Sequence, residues 1–243
     1  MIAFCVSAHP CAWFTNALSC RDAGVRSGRL RRLKVNGPRS SRPLDLLDCR
    51  TMTSENAATG SDPAGGVAAT VRAVVDRVVA DGLRRGSMVG ASDSQIDGWA
   101  NAQNVSIVPV AVREVLRLIG MQSSLWLSGS LFGVKSLGPG SKRAALATLR
   151  AFGDSMADSS GMLVLVDHQS YLFYAIDGAD LNELDPPVWA ISEGGFAEQG
   201  WPSVTDWLDA IAPDVARTRE RLAFQREQGW WIDPAWSPHI ELD

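Results

Sequence analysis

The sequence predicts an α+β domain: N-terminal helices, then a twisted antiparallel β-sheet, then a C-terminal helix packed on the sheet. Three observations predict this order. Apolar residues recur at helical spacing in residues 67–119, three short aliphatic and aromatic runs follow in residues 162–191, and helical spacing returns after Ser203. Because helices and strands are segregated along the chain, an α+β arrangement is favoured over alternating β-α-β units.

The N-terminal helices carry recognisable start and stop signals. Valines at three- and four-residue spacing predict a first helix from Val67. Ser92 and Gln95 have the spacing of a capping box, so a second helix is expected to begin there. Pro109 is suited to the first position of a third helix, since that position needs no N–H donor, and Gly120 supplies its C-terminal stop.

The middle of the chain is predicted to contain one strand and one helix. The apolar run Leu125–Phe132 is punctuated by Gly129, which predicts a strand with a bend. Residues 141–157 have helical composition, and Ser141 is the expected N-cap.

The sheet is expected as a meander of three strands. Met162–Val166 and Tyr171–Ile176 are joined by the four residues DHQS, which fits a hairpin loop. A third strand is expected over Pro187–Ile191 and a loop after it. Ser203 with Asp206 then opens a helix whose apolar residues face the sheet.

The C-terminal segment is predicted to be a charged helix, residues 214–228, followed by a tryptophan-rich tail. Trp230, Trp231 and Trp236 would expose costly apolar area in a solvated tail. They are therefore expected to pack back onto the domain, with packing onto a partner as the alternative.

The chain divides sharply at Met52. Residues 1–51 contain nine Lys or Arg and three Asp, whereas residues 52–243 contain 14 Lys or Arg against 24 Asp or Glu, a net charge of −10. All four cysteines precede Met52. We expect translation to start at Met52, because the preceding segment fits neither a secretory signal nor a common zinc-site spacing. The predicted organisation is an extension and disordered tail (1–66), an α+β domain (67–212), and a C-terminal helix and tail (213–243).

Catalytic equipment is sparse in residues 52–243. His168 lies beside Asp167 and Ser170 as in a triad, but neighbours in a tight turn point apart and no G-x-S-x-G elbow occurs. A hydrolase using His168 is therefore the least favoured alternative. The glycine-rich loop before Lys142 lacks the Walker A pattern, and no EF-hand spacing is found. No catalytic residue, metal site or cofactor is predicted.

Acidic residues around the predicted sheet suggest a docking surface for a basic protein, with a solvated acidic rim as the simpler alternative. Nucleic-acid and membrane partners are disfavoured, because the chain after Met52 is acidic and no run is long enough to span a bilayer. The oligomeric state stays open. The candidate partner-binding residues are Asp177, Asp180, Glu183, Asp185, Trp189 and Glu193.

Several motifs between Asp93 and Ile211 resemble the SUKH superfamily. They are a first helix bearing Trp99, the helix IVPVAVREVLRLIG, the strand pair LVLVDHQSYLFYAID, the element DPPVW at residues 185–189, and a late S-x-x-D-W-L helix. The resemblance implies a non-enzymatic α+β binding domain, and the lack of cysteine after Met52 predicts a reducing, cytoplasmic location. Bacterial members are immunity proteins that neutralise toxin domains, frequently nucleases, and a regulatory or scaffold protein of the same fold is the alternative.

Overall fold

The computed structural model describes residues 62–153 and 155–241, and it confirms the α+β class. The predicted start at Met52, the four cysteines and most of the predicted tail lie outside these residues. The helices are α1 (Pro63–Ala80), α2 (Asp93–Ala102), α3 (Val110–Ile119), α4 (Pro139–Phe152), α5 (Val204–Ala210) and α6 (Val215–Glu227). The strands are β1 (Leu131–Phe132), β2 (Leu163–His168), β3 (Leu172–Ile176), β4 (Val188–Ser192) and β5 (Phe196–Trp201).

The five strands form one antiparallel sheet in chain order, β1-β2-β3-β4-β5. Each strand pairs with its sequence neighbour, as the meander pattern predicts. The β2–β3 turn is tight: Gln169 and Ser170 both have positive φ, and the Tyr171 N–H donates to the His168 carbonyl. His168 therefore belongs to β2 and not to a four-residue loop.

Helices cover both faces of the sheet. α2, α3 and α5 meet one face around Phe132 of β1, which is paired with Val166 of β2. The next residue, Asp167, points to the opposite face, because side chains alternate along a strand. There its carboxylate accepts a hydrogen bond from Ser141 of α4, so α4 covers that second face. α1 packs outside the sheet against α3 and α5.

Four local predictions need correction. Residues 63–66 are helical, because Asp62 caps the Ala64 N–H and Pro63 starts the helix. Only the last two residues of Leu125–Phe132 form a strand; the rest is turns, with positive φ at Leu127 and Gly129. α4 begins at Pro139, since the Ser141 hydroxyl is engaged by Asp167. β5 was predicted as a loop.

The C-terminal segment returns to the domain, but not through all its tryptophans. Ile240 is fully buried and forms a β-bridge with Leu83, and Trp236 packs half-buried against the core. Trp230 and Trp231 remain exposed. The prediction that all three tryptophans pack back is therefore wrong for these two.

A side chain occupies part of the open edge of β2. β1 pairs only with Asp167 and Val166, so Val164 has no strand beside it on that side. The Gln103 amide fills the place: Val164 N–H donates to its Oε1 at 3.0 Å, and its Nε2 donates to the Val164 carbonyl at 3.2 Å. The buried Lys142 amine donates to the Gln103 carbonyl at 2.7 Å, and burial lowers the pKa of Lys142.

Within residues 62–153 and 155–241, no helix is both long and apolar enough to cross a membrane.

Candidate docking surface

Asp177, predicted as a solvated docking residue, is an internal anchor. Its side chain is 2% exposed. One carboxylate oxygen accepts from the Asp158 and Ala179 N–H groups at 2.8 and 3.1 Å, and the other accepts from the Ala157 N–H at 2.6 Å. The carboxylate thus fastens the segment before β2 to the end of β3, and a partner cannot reach it.

The β3–β4 connection is also tied to two helices. The Asp185 carboxylate accepts from the Thr205 N–H in the first turn of α5 at 3.0 Å. The Leu184 carbonyl accepts from the Ala111 N–H in the first turn of α3 at 2.9 Å. Asp185 therefore has a structural role that the sequence analysis did not predict. There it was only the first residue of the DPPVW element and a candidate partner-binding residue.

Asp180 and Glu183 form the acidic tip of this connection. Glu183 is exposed and Asp180 half-buried, and the Glu183 N–H donates to the Asp180 carbonyl at 2.9 Å. Desolvation by burial raises the pKa of the Asp180 carboxyl, and the negative charges of Asp177 and Glu183 raise it further. Holding Asp180 ionised at neutral pH therefore costs folding free energy.

We expect Asp180→Asn to raise the urea unfolding midpoint at pH 7. The pKa of the Asp180 carboxyl is higher in the folded than in the unfolded state. Its contribution to folding stability is therefore largest below the unfolded pKa of about 3.9, and that contribution is lost as pH rises through the folded pKa. Asparagine does not ionise, so the variant avoids this loss at pH 7. The urea midpoints of variant and parent should converge near pH 3, where Asp180 is protonated. A variant that is less stable than the parent at pH 7 would contradict the assignment.

The remaining two predicted residues lie elsewhere on the sheet. Trp189 is the second residue of β4, half-buried between Ala175 and Gln199, and its indole N–H has no partner among the described residues. Glu193 follows the last residue of β4, whereas the Asp180 tip precedes its first. β4 spans roughly 16 Å at the usual rise per residue, so the predicted set does not form one surface.

A different surface, which sequence reasoning missed, lies at the end of the sheet that carries the β2–β3 and β4–β5 turns. We call it the hairpin-end surface: Phe152, Tyr171, Glu193 and Phe196. The three aromatic side chains are 53%, 38% and 42% exposed in chain order. The signal was available, since an aromatic residue directly follows each turn.

Contacts hold these residues at the same end of the sheet. The Phe152 ring packs against Gly195, the residue before Phe196, and a Cβ added to Gly195 would be 3.4 Å from that ring. The Glu193 N–H donates to the Tyr171 carbonyl at 3.0 Å. Below the patch, Ser155 Oγ donates to the Ala197 carbonyl at 2.8 Å, which holds the chain after α4 against β5. Exposed aromatic residues with a charged neighbour are typical of protein-binding surfaces.

The geometry does not assemble the triad that the sequence suggested around His168. Asp167 points to the α4 face, where it accepts from Ser141 Oγ and from the Ser170 N–H. His168 lies on the other face, with Nδ1 2.6 Å from Ser130 Oγ and its ring edge-on to Tyr171. Asp167 therefore cannot orient the imidazole, which a triad requires.

An apolar cavity between α2, α3, α5 and the sheet has room for about one water molecule. It is a packing gap rather than a ligand pocket. It is lined by Trp99, Val112, Val115, Leu116, Phe132, Leu165, Val204 and Trp207. In the part of the chain that the structure describes, no three His, Cys, Asp or Glu side chains converge as metal ligands would.

No protein-family model matches the chain. A search of curated proteins likewise finds no match.

Proposed function

We propose that this chain is a non-enzymatic protein-binding domain of the immunity-protein type, which neutralises a basic toxin domain by covering its active surface. The observation that carries the proposal is the hairpin-end surface, where three exposed aromatic residues lie at one end of the sheet. The motifs that resemble the SUKH superfamily support the choice of partner class. The net charge of −10 on residues 52–243 supports a basic partner.

The mechanism follows from the surface. Phe152, Tyr171 and Phe196 would enter apolar depressions of the toxin and supply most of the affinity, as aromatic hot spots do. Glu193 at the rim would face basic side chains, and the acidic domain would speed association through long-range attraction. Inhibition then needs no chemistry, because a bound domain blocks access to the toxin's substrate.

The proposal is tested by searching the neighbouring genes for a toxin-like domain and by using that domain as the partner; a neighbourhood without one would favour a regulatory or scaffold protein. We expect the full chain to protect cells that express that domain and to bind it in calorimetry at a one-to-one ratio. Phe152→Ser combined with Phe196→Ser should weaken binding about 100-fold or more, because a hot-spot residue contributes at least ~2 kcal/mol. Protection should be lost with it.

Val89→Ser is the matched control, since Val89 is equally exposed but has no contact with the hairpin-end surface. This variant should bind like the parent. Unchanged binding by the double variant together with loss of binding by Glu183→Lys would move the interface to the acidic tip. No binding and no protection by the parent chain would overturn the proposed function itself.

A further inference from the structure

The chain after α6 runs back to the domain as a strap. We call residues 229–241 the C-terminal strap. Gly229 has a φ of 68°, which lets the chain turn away at the end of α6. Further along, the Arg221 guanidinium of α6 lies over the Trp236 ring at 5.4 Å. The side chains of the strap are exposed or half-buried except that of Ile240, which is fully buried.

The end of the strap is attached to the segment between α1 and α2. Ile240 enters the core there. The Arg84 N–H donates to the His239 carbonyl at 2.8 Å, and the Glu241 N–H donates to the Gly82 carbonyl at 3.0 Å. One buried side chain and a few hydrogen bonds make a small attachment. Segments with so few buried contacts open while the rest of a domain stays folded.

A relay of three hydrogen bonds fastens this attachment, and its direction follows from the groups involved. The Ser87 hydroxyl donates to the Arg84 carbonyl at 2.6 Å, because a carbonyl oxygen only accepts. Ser87 has then used its single proton, so in the 2.7 Å contact between the two hydroxyls Ser124 is the donor. Ser124 has in turn used its own proton. In its 3.0 Å contact with His239 Nδ1 the imidazole must therefore donate.

The relay thus determines the state of the His239 ring. A neutral imidazole carries its proton on either of two nitrogens, and the hydrogen bond that one of them makes decides which. Here the proton lies on Nδ1. Ser87 is only 5% exposed, so its hydroxyl depends on protein partners more than on water. Opening the strap removes the donor at the start of the relay, and the relay therefore stabilises the closed state.

We propose that the C-terminal strap is a latch: its end opens as one unit while the sheet stays folded, and the Nδ1–H form of His239 fastens it through Ser124 and Ser87. Opening withdraws Ile240 and uncovers the apolar site beside Leu83 that it fills. This inference is independent of the proposed function, because no residue of the strap belongs to the hairpin-end surface.

Native-state hydrogen exchange on the full chain tests the opening. The N–H groups of Arg84, Ile240 and Glu241 all depend on the closed strap, since Ile240 donates to the Trp236 carbonyl at 3.1 Å. They should share one opening free energy and exchange about tenfold or more faster than the N–H groups in the middle of β3. Exchange of the strap at the β3 rate would mean that it opens only with the whole domain, and would overturn the latch.

Nitrogen-15 spectra of the imidazole rings test the relay. They are recorded at about pH 8.5, where an ordinary imidazole is neutral. The signals of His239, assigned by their loss in His239→Asn, should be those of the Nδ1–H form. An Nε2–H form would overturn the relay, because Nδ1 would then be unable to donate.

Ser124→Ala removes the middle of the relay. The strap N–H groups should exchange about fivefold faster, as expected when a hydrogen bond of ~1 kcal/mol is lost. Exchange in β3 should stay at the parent rate, and the His239 proton should no longer be confined to Nδ1. Unchanged strap exchange in this variant would show that the relay does not fasten the latch.

Ser128→Ala is the matched control. Ser128 lies four residues after Ser124, and its hydroxyl bonds within its own turn, donating to the Leu125 carbonyl at 3.2 Å. This variant should leave both the strap exchange rates and the His239 spectrum at the parent values. If it changed them as much as Ser124→Ala does, the effect would come from general loosening of the turn, and the relay would be rejected.

Discussion

Trp207→Ala is expected to lower the free energy of unfolding by about 4 kcal/mol, within the usual range for truncating a buried tryptophan. Trp207 is 1% exposed and lies at the junction of α5 with the sheet, where its ring centroid is 6.3 Å from that of Tyr174 and 6.5 Å from that of Phe132. α5 has only seven residues and buries just Val204, Trp207 and Leu208. Removing the indole therefore removes the main contact of the whole helix.

The cavity beside Trp207 makes the loss larger, since the new space joins an existing gap instead of closing. The measurement is equilibrium urea unfolding. Trp207→Phe is the control: it keeps an aromatic ring and removes an indole N–H that has no partner among the described residues, so we expect a loss of about 1–2 kcal/mol. Equal losses for the two variants would show that packing by the ring does not hold α5.

Asp177→Ala is expected to cost about 3 kcal/mol, because it removes a buried carboxylate that accepts hydrogen bonds from three N–H groups. Water that enters the site satisfies part of the loss, which keeps the value below the sum of three separate penalties. The segment at residues 157–158 should also become unprotected in hydrogen exchange, since the carboxylate holds it to the end of β3. A cost under 1 kcal/mol, about that of one hydrogen bond, would contradict the anchoring role.

Asp177→Asn keeps the shape of the side chain but replaces one of its two acceptor oxygens with a donor NH₂ group. With its oxygen toward Asp158 and Ala179 the amide keeps two of the three hydrogen bonds, but it places an NH₂ group against the Ala157 N–H. We therefore expect about half the cost of Asp177→Ala, from the same urea titration. A neutral effect would mean that the Ala157 contact contributes nothing.

Local signals predicted most of the helices because their causes lie within a few residues. The Ser92 capping box is formed as its spacing indicates, and Ser203 caps α5 through the Asp206 N–H. Pro109 precedes the helix as its cap residue instead of occupying the first helical position. Such signals depend on nearby backbone groups, so a linear reading recovers them to within a residue.

Several of the wrong predictions concern residues whose role depends on a partner that is distant in the sequence. Ser141 looks like a cap, yet Asp167, 26 residues later, takes its hydroxyl. Asp177 looks like a solvated turn residue, because nothing nearby reveals that residues 157 and 158 come to it. β5 was missed because FAEQGW is an edge strand whose exposed side chains and Gly200 weaken the alternating pattern.

The candidate surfaces also combine features that the sequence predicts with features that only the fold reveals. Sequence composition indicated an acidic domain, but only the fold shows that Glu193 and the Asp180 tip lie at opposite ends of β4. Phe152 and Gly195, the residue before Phe196, are 43 residues apart in the chain and come together only because α4 ends near the β4–β5 turn.

The Gln103 amide beside Val164 has a consequence for aggregation. An unpaired strand edge is a template on which another chain can add a strand, and proteins must hide or break such templates. Here one side chain imitates the donor and acceptor of a neighbouring strand and occupies the place an intruding chain would need. Gln103 also precedes Val164 by 61 residues. During synthesis from the N-terminus, the group that closes this edge is therefore made before the edge itself emerges.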